Sequence, residues 1–100
     1  MIVVRNIFQL KFGTAKDAIS LMNEIAPWAQ AITFENVRVL TDVTGKAYTM
    51  VLEMQYKNLA DFEKTITEHF KDPAWKSWYQ RFAPLCESSY REIMNVVVDM

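Results

Sequence analysis

His69 is the only histidine and Cys86 the only cysteine in this 100-residue chain, so few groups are available for acid–base, nucleophilic or metal chemistry. A single imidazole among scattered carboxylates has no metal-ligand spacing. His69 lies three residues after Ile66 and seven after Phe62, at the edge of a helix's apolar face. There it either points into a cleft or sits solvated at the helix end, where the dipole favours a cation. Cys86 follows Pro84-Leu85 with Arg81 as its nearest basic neighbour upstream, and nothing in sequence activates its thiol. Glu53 and Glu92 fall on strands without paired-carboxylate spacing. Ser88-Ser89 lacks a nucleophile-elbow context, and no Gly-rich phosphate loop occurs. Neither a cofactor nor a metal is expected.

Two features remain. Asn6 alternates with Val4, Phe8 and Leu10, which places an amide on an apolar strand face. A buried amide must be hydrogen-bonded, so Asn6 is either a structural amide or a pocket amide that orients a polar substrate. Trp75, Trp78, Tyr79, Phe82 and Leu85 recur at helical spacing. Such a stripe is either core or, with Tyr48 and Tyr56, the wall of a flat aromatic pocket. The candidate site is therefore Asn6, Phe8, Tyr48, Met50, His69, Trp75, Trp78 and Tyr79. Its expected occupant is a small apolar or aromatic ligand, and no catalytic residue is assigned.

The elements that must position these residues follow from periodicity. Ile2 to Phe12 alternates as a strand, and Gly13 punctuates it. Thr14, with Asp17 three residues on, gives a capping-box-like helix start. The apolar stripe of that helix is Ala15, Ala18, Ile19, Met22, Ile25, Ala26 and Ala29, and Pro27 is expected to kink or break it. Val37 to Val43 reads as a second strand. Thr44-Gly45-Lys46 is a turn with Gly45 at positive φ, and Ala47 to Tyr56 is a third strand. Asn58 caps a helix whose expected apolar face is Leu59, Phe62, Ile66 and Phe70. Asp72 and Pro73 start an aromatic helix as N-cap and first helical residue, which Pro84 ends or bends. Ser89 to Val98 is the last strand. The order is β-α-β-β-α-α-β, an α+β ferredoxin-like domain over residues 1–100 with a four-stranded antiparallel sheet and a divided second helix.

Both sheet faces carry apolar side chains. Val3, Ile7, Ala47 and Val51 oppose Val4, Phe8, Leu10, Met50 and Leu52. Helices can cover one face, and a bare apolar sheet is unfavourable, so a homodimer with sheet against sheet is expected. Arg5, Gln9, Glu53 and Gln55 can pair across it. With 51% hydrophobic and 13% aromatic residues the chain is not disordered. A net charge of -1 gives no reason to expect nucleic acid. No apolar run approaches the ~20 residues that cross a bilayer, so no membrane partner is expected. Arg5, Asn6, Gln9 and Lys11 interrupt any export-type apolar segment, which makes a cytoplasmic location the expectation.

This pattern resembles the dimeric α+β barrel superfamily. The C-terminal half is similar to the NIPSNAP family on Tyr56-Lys57-Asn58-Leu59, Asp72-Pro73-Ala74-Trp75-Lys76 and Arg81-Phe82-Ala83-Pro84-Leu85. That resemblance implies a fold and a homodimer but no reaction. The segment from Asn6 to Asp17 is similar to the antibiotic-biosynthesis-type monooxygenases, which include small heme-degrading enzymes. The latter use a first-strand Asn, a middle-helix Trp and a heme-ligating His. Asn6 matches the first, but the other two positions are about Thr65 and Tyr79, so heme degradation is not expected. Three readings follow: a NIPSNAP-like binder of a small ligand in an aromatic cleft between helices and sheet, a cofactor-independent monooxygenase, or a non-catalytic dimerisation module.

Overall fold

The computed structural model describes residues 1–32 and 36–100. The elements are β1 (Ile2–Leu10), α1 (Ala15–Ile32), β2 (Val37–Thr41), β3 (Thr49–Tyr56), α2 (Leu59–Glu68), α3 (Pro73–Phe82) and β4 (Cys86–Asn95). Single 3-10 turns at His69–Lys71 and Ala83–Leu85 flank α3. The sheet order is β2-β3-β1-β4, with each neighbouring pair antiparallel. This is the expected ferredoxin-like arrangement, two interleaved β-α-β units with β1 and β3 central.

One sheet face meets the helices. Ile2, Val4 and Leu10 of β1 join Met50, Leu52, Met54 and Tyr56 of β3 in one buried cluster. Helix α1 adds Ala18, Met22 and Ile25, α2 adds Phe62, and α3 adds Trp78 and Phe82. Small residues at Ala18 and Ala29 let α1 approach the sheet, because a period of 3.6 puts Ala18, Met22, Ile25 and Ala29 on one stripe. On the other face Ile7 and Val51 are each 8% exposed yet stand outside that cluster. They are sheltered by neighbours on their own sheet rather than by a helix.

Several boundaries differ from expectation. β3 starts at Thr49, not Ala47, because Tyr48 has a φ of 59°. That left-handed conformation is uncommon for a residue with a side chain. It is held by Leu10 N–H donating to the Tyr48 carbonyl at 2.8 Å and by the Gln9 amide donating to the Ala47 and Tyr48 carbonyls at 2.9 and 3.3 Å. β2 ends at Thr41, since the loop is closed by Thr49 N–H donating to the Asp42 carboxylate at 3.1 Å. Gly45 does take positive φ, 94°. β4 is shifted towards the N-terminus of its expected span. Its register pairs Ile2 with Asn95 and Leu10 with Cys86, so Val97 and Val98 have no β1 residue left to pair with.

The helices differ as well. α1 continues through Pro27 without a break. Thr14 does not form a capping box: its hydroxyl donates to the carbonyls of Lys11 and Leu85, tying the start of α1 to the start of β4. On α2 the buried residues are Phe62 and Thr65, while Leu59 and Ile66 are 53% and 39% exposed. Phe62 packs edge-on against Tyr56 at 5.3 Å. The Tyr56 hydroxyl is pushed up in pKa by burial, an effect opposed by a hydrogen bond with Thr65 and by nearby Arg91. The Tyr56 hydroxyl donates to Met54 Sδ at 3.8 Å, and the Thr65 hydroxyl to the Asp61 carbonyl at 3.5 Å. The 3-10 turn then carries Phe70 out of the α2 row and towards α1.

The caps of α2 and α3 are as expected. Asn58 Oδ1 accepts from Asp61 N–H at 2.9 Å, and Asp72 Oδ1 accepts from Ala74 N–H at 2.9 Å with Pro73 in the first helical turn. Asp72 has a second task. Its other oxygen accepts from Trp28 Nε1 at 3.0 Å, which ties the start of α3 to α1. The Ala74 N–H first, and then the Trp28 N–H, hold the Asp72 carboxyl below the usual aspartate range. A depressed folded-state pKa contributes stability that is present above about pH 4 and is lost as pH falls towards the folded value. Asp72→Ala is therefore expected to lower the melting temperature at neutral pH and to flatten its decline on acidification. Thermal melts followed by circular dichroism across that range measure both, and parallel pH profiles for variant and parent would contradict the assignment.

Candidate functional site

A cavity of about 350 Å³ lies between the helix layer and the β1–β4 side of the sheet. Small-molecule sites usually occupy ~300–1,000 Å³. Its helical walls are Ile25, Trp28, Ala29 and Ile32 of α1 and Trp75, Trp78, Tyr79 and Phe82 of α3, with Phe70 from the intervening turn. Its floor is Asn6 and Phe8 of β1, Leu52 and Met54 of β3, and Ser89, Tyr90 and Arg91 of β4.

The walls are built from stacked rings. Phe70 stacks on Trp75 at 4.6 Å and 12°, and Trp28 on Trp75 at 5.2 Å and 19°. Trp75 continues to Trp78 at 5.1 Å and Tyr79 at 5.7 Å. Trp78 stacks on Phe82 at 4.8 Å, and Phe82 meets Phe8 of the sheet edge-on at 4.9 Å. Offset and edge contacts of this kind each contribute about 0.5–1.5 kcal/mol beyond the area they bury. Both indole N–H groups with a partner bond away from the cavity, Trp28 to Asp72 and Trp78 to the Leu21 carbonyl at 2.6 Å. The helical walls thus present mostly ring surface, with the Tyr79 hydroxyl and the Trp75 indole N–H as polar groups that have no hydrogen bond among the described residues.

The floor carries the charge. Arg91 Nε donates to Asn6 Oδ1 at 2.7 Å, across the register pair that joins β1 and β4. The Arg91 guanidinium also lies over the Phe62 ring, 5.2 Å from its centroid. Arg91 is the one charged residue among the described residues lining the cavity.

Of the eight sequence-derived candidates, Asn6, Phe8, Trp75, Trp78 and Tyr79 come together here. Tyr48, Met50 and His69 do not. Tyr48, turned by its positive φ, packs against Phe12 at 5.3 Å at the far end of the sheet. Met50 is fully buried in the core. His69 stands half-buried in the 3-10 turn, outside the lining. Asn6 proves to be both polar floor and structural partner, since its oxygen is committed to Arg91. Sequence reasoning missed Trp28, Phe70 and Arg91. Trp28 falls beside Ile25 and Ala29 on the α1 stripe, a signal that Pro27 obscured. Arg91 sits two residues from Ser89 and Ile93 on the same strand face, but its pairing with Asn6 depends on a register that sequence does not supply.

The other candidate chemistry is quiet. Burial pushes the Cys86 thiol up in pKa, with Lys11 opposing, which disfavours the thiolate. Among the described residues no cluster of three His, Cys, Asp or Glu side chains is placed to hold a metal ion. Thr65 is buried under Tyr56 and Phe62, and Tyr79 lies at the cavity rim about half exposed. Among the described residues no helix is long and apolar enough to cross a membrane.

No protein-family model matches the sequence, and no curated protein matches it. Solved structures do match the fold. A NIPSNAP family protein from Agrobacterium tumefaciens is 22% identical, with 93% of this chain and 82% of that one covered and a TM-score of 0.82. An uncharacterized NIPSNAP domain protein from Burkholderia xenovorans is 14% identical over 100% of both chains, with a TM-score of 0.84. SnoaB, a cofactor-independent oxygenase from Streptomyces nogalater, is 13% identical over 99% of this chain and 95% of that one, with a TM-score of 0.76. The chain has the α+β fold shared by these NIPSNAP and oxygenase structures.

Proposed function

We propose that this chain is a NIPSNAP-like cytoplasmic homodimer that binds a small, flat, largely apolar or aromatic ligand in the cavity of each protomer. The observation that carries the reading is the stacked wall of Trp28, Phe70, Trp75 and Trp78 bordering open space above the sheet. A packed core closes such space, because interiors approach crystal-like density. Rings at a cavity wall offer flat area with little side-chain entropy left to lose. A flat aromatic ligand that stacks there also changes the tryptophan emission. Titration with 2-naphthol is expected to quench that emission saturably. Ser89→Trp, which fills the cavity from the exposed edge strand, is expected to abolish the saturable part with the far-ultraviolet spectrum unchanged. Quenching that stays linear in the parent protein would overturn the reading.

The homodimer rests on the uncovered sheet face. Across it the order β2-β3-β1-β4 lines up Arg38, Glu53, Arg5 and Glu92, charges of alternating sign. Glu53 pairs with Arg38 and lies 3.7 Å from Arg5 Nε. That Nε is buried without a hydrogen-bond partner among the described residues. Ile7, Val51, Leu40 and Tyr90 form an apolar band beside this row. A second copy turned by a two-fold axis meets both bands with complementary surface, burying at least ~1,200 Å² in total. Light scattering at micromolar concentration is expected to give twice the chain mass of 11.7 kDa. Val51→Lys is expected to shift it towards the monomer with the fold retained. A sharp monomer mass for the folded parent protein would refute the dimer.

A second reading, cofactor-independent oxygenation of an activated phenol in the same cavity, is favoured by the fold shared with SnoaB and by the Asn6 amide in the floor. Here the substrate supplies the electrons to oxygen and the protein supplies an apolar space. Oxygen uptake with an easily oxidised phenol, with no metal or flavin added, is the expected signature of this reading. Its absence leaves binding alone.

A further inference from the structure

We propose that Arg91 and Asn6 form an anion-binding end to the cavity and that its ligand is a flat aromatic carboxylate. This rests on the binding reading above and adds the ligand's charge. The argument begins with what the polar atoms have left to offer. Arg91 Nε is occupied by Asn6 Oδ1 at 2.7 Å, which fixes the plane of the guanidinium. Its two terminal nitrogens have no protein partner among the described residues, nor does the Asn6 amide nitrogen. One lone pair of Asn6 Oδ1 is taken by Arg91, and both N–H donors of the Asn6 amide remain. The free valence of the pair is therefore mostly N–H, on a planar fork whose geometry suits a carboxylate held by two parallel bonds.

The surroundings select the sign. No Asp or Glu is among the described residues that line the cavity. The Phe62 ring under the guanidinium covers one of its faces with an apolar surface, and the aromatic walls lower the local dielectric. Hydration sustains the charge of Arg91 while the cavity is open, because the residue is exposed. A ligand that displaces that water must replace its hydrogen bonds or leave a charge stranded. A neutral hydrocarbon cannot do this, and an ammonium group adds repulsion. A carboxylate joined directly to a ring system meets both demands, with its rings against Trp75 and Trp78 and its oxygens on Arg91.

The test compares 2-naphthoate with 2-naphthamide, which has the same shape and no charge, by calorimetry and tryptophan quenching at neutral pH. The acid is expected to bind at least about tenfold more tightly than the amide, the effect of one charge-assisted hydrogen bond. Arg91→Gln is expected to bring the acid down to the affinity of the amide, and Arg91→Lys to recover only part of the difference. Affinity of the acid in the parent protein is also expected to fall with added salt. Equal affinities for acid and amide in the parent protein would overturn the anion site while leaving the cavity a binding site. Failure of both to bind would overturn the anion site and the binding reading together. Because the comparison of acid with amide is made on the parent chain, it stands even if the Arg91 variants fold poorly.

Discussion

Trp75 is the contact on which the helix layer depends. Its ring is shared by Phe70 and Trp28 on one side of the packing and by Trp78 and Tyr79 on its own helix. Those partners come from α1, from the turn after α2, and from α3. The turn passes directly into α3 through Asp72, whose N–H donates to the His69 carbonyl at 3.0 Å, while side chains set the position of α1 against both. The Asp72 carboxylate fixes the remaining freedom by capping α3 while holding the Trp28 indole. The bidentate pairing of Arg81 with Glu24 also crosses from α3 to α1, but it is exposed and adds modestly. A layer held by stacked rings at one end does not close down on the sheet along its whole length. The cavity is the space that this arrangement leaves.

The sheet divides the chemistry of the molecule in two. Its helix side holds the aromatic cavity, and its open side holds an alternating row of charges beside an apolar band. The two are joined through β1 and β4, where residues of alternate parity face opposite ways. Asn6 and Arg91 face the cavity, while Arg5, Ile7, Tyr90 and Glu92 belong to the pairs on either side of them in the same ladder. A change in the twist or register of this pair of strands therefore acts on both faces. The shift between Gln9 and Leu10 ends the regular ladder just before the chain turns into α1.

Much of the fold was legible in the sequence because it rests on local periodicity and caps. The alternation of β1, the Asn58 and Asp72 caps and the aromatic stripe of α3 all depend on residues close in the chain. What was not legible depends on partners far away. The face of α2 turned to Phe62 and Thr65 because Tyr56 presents a buried hydroxyl, a demand invisible within α2 itself. The ends of β4 were set by the length of β1, and Tyr48 left its strand because Leu10 and Gln9 hold its carbonyl. In the site, the aromatic half of the wall could be read from α3, whereas Trp28, Phe70 and Arg91 arrive through tertiary pairing. His69 attracted notice as the lone imidazole, but the 3-10 turn that brings Phe70 into the stack leaves His69 outside the cavity.

On the proposed reading, a site with so few reactive groups works through its environment. Three ionisable side chains nearby are tied into the fold or held unreactive. Asp72 caps and tethers, the Tyr56 hydroxyl is held in the core beside Thr65, and the Cys86 thiol is pushed away from its reactive form. Arg91 differs, because its one hydrogen bond among the described residues uses the side nitrogen and leaves the fork unspent. An arginine does not act as a base, since its guanidinium is not deprotonated in proteins. What it contributes is a positive charge in the floor of a cavity with a flat apolar wall. In the proposed complex that combination orders the ligand by two independent features, the plane of its rings and the position of its charge. Any reactivity in this space must then originate in the ligand, with the protein setting its orientation and limiting its contact with water.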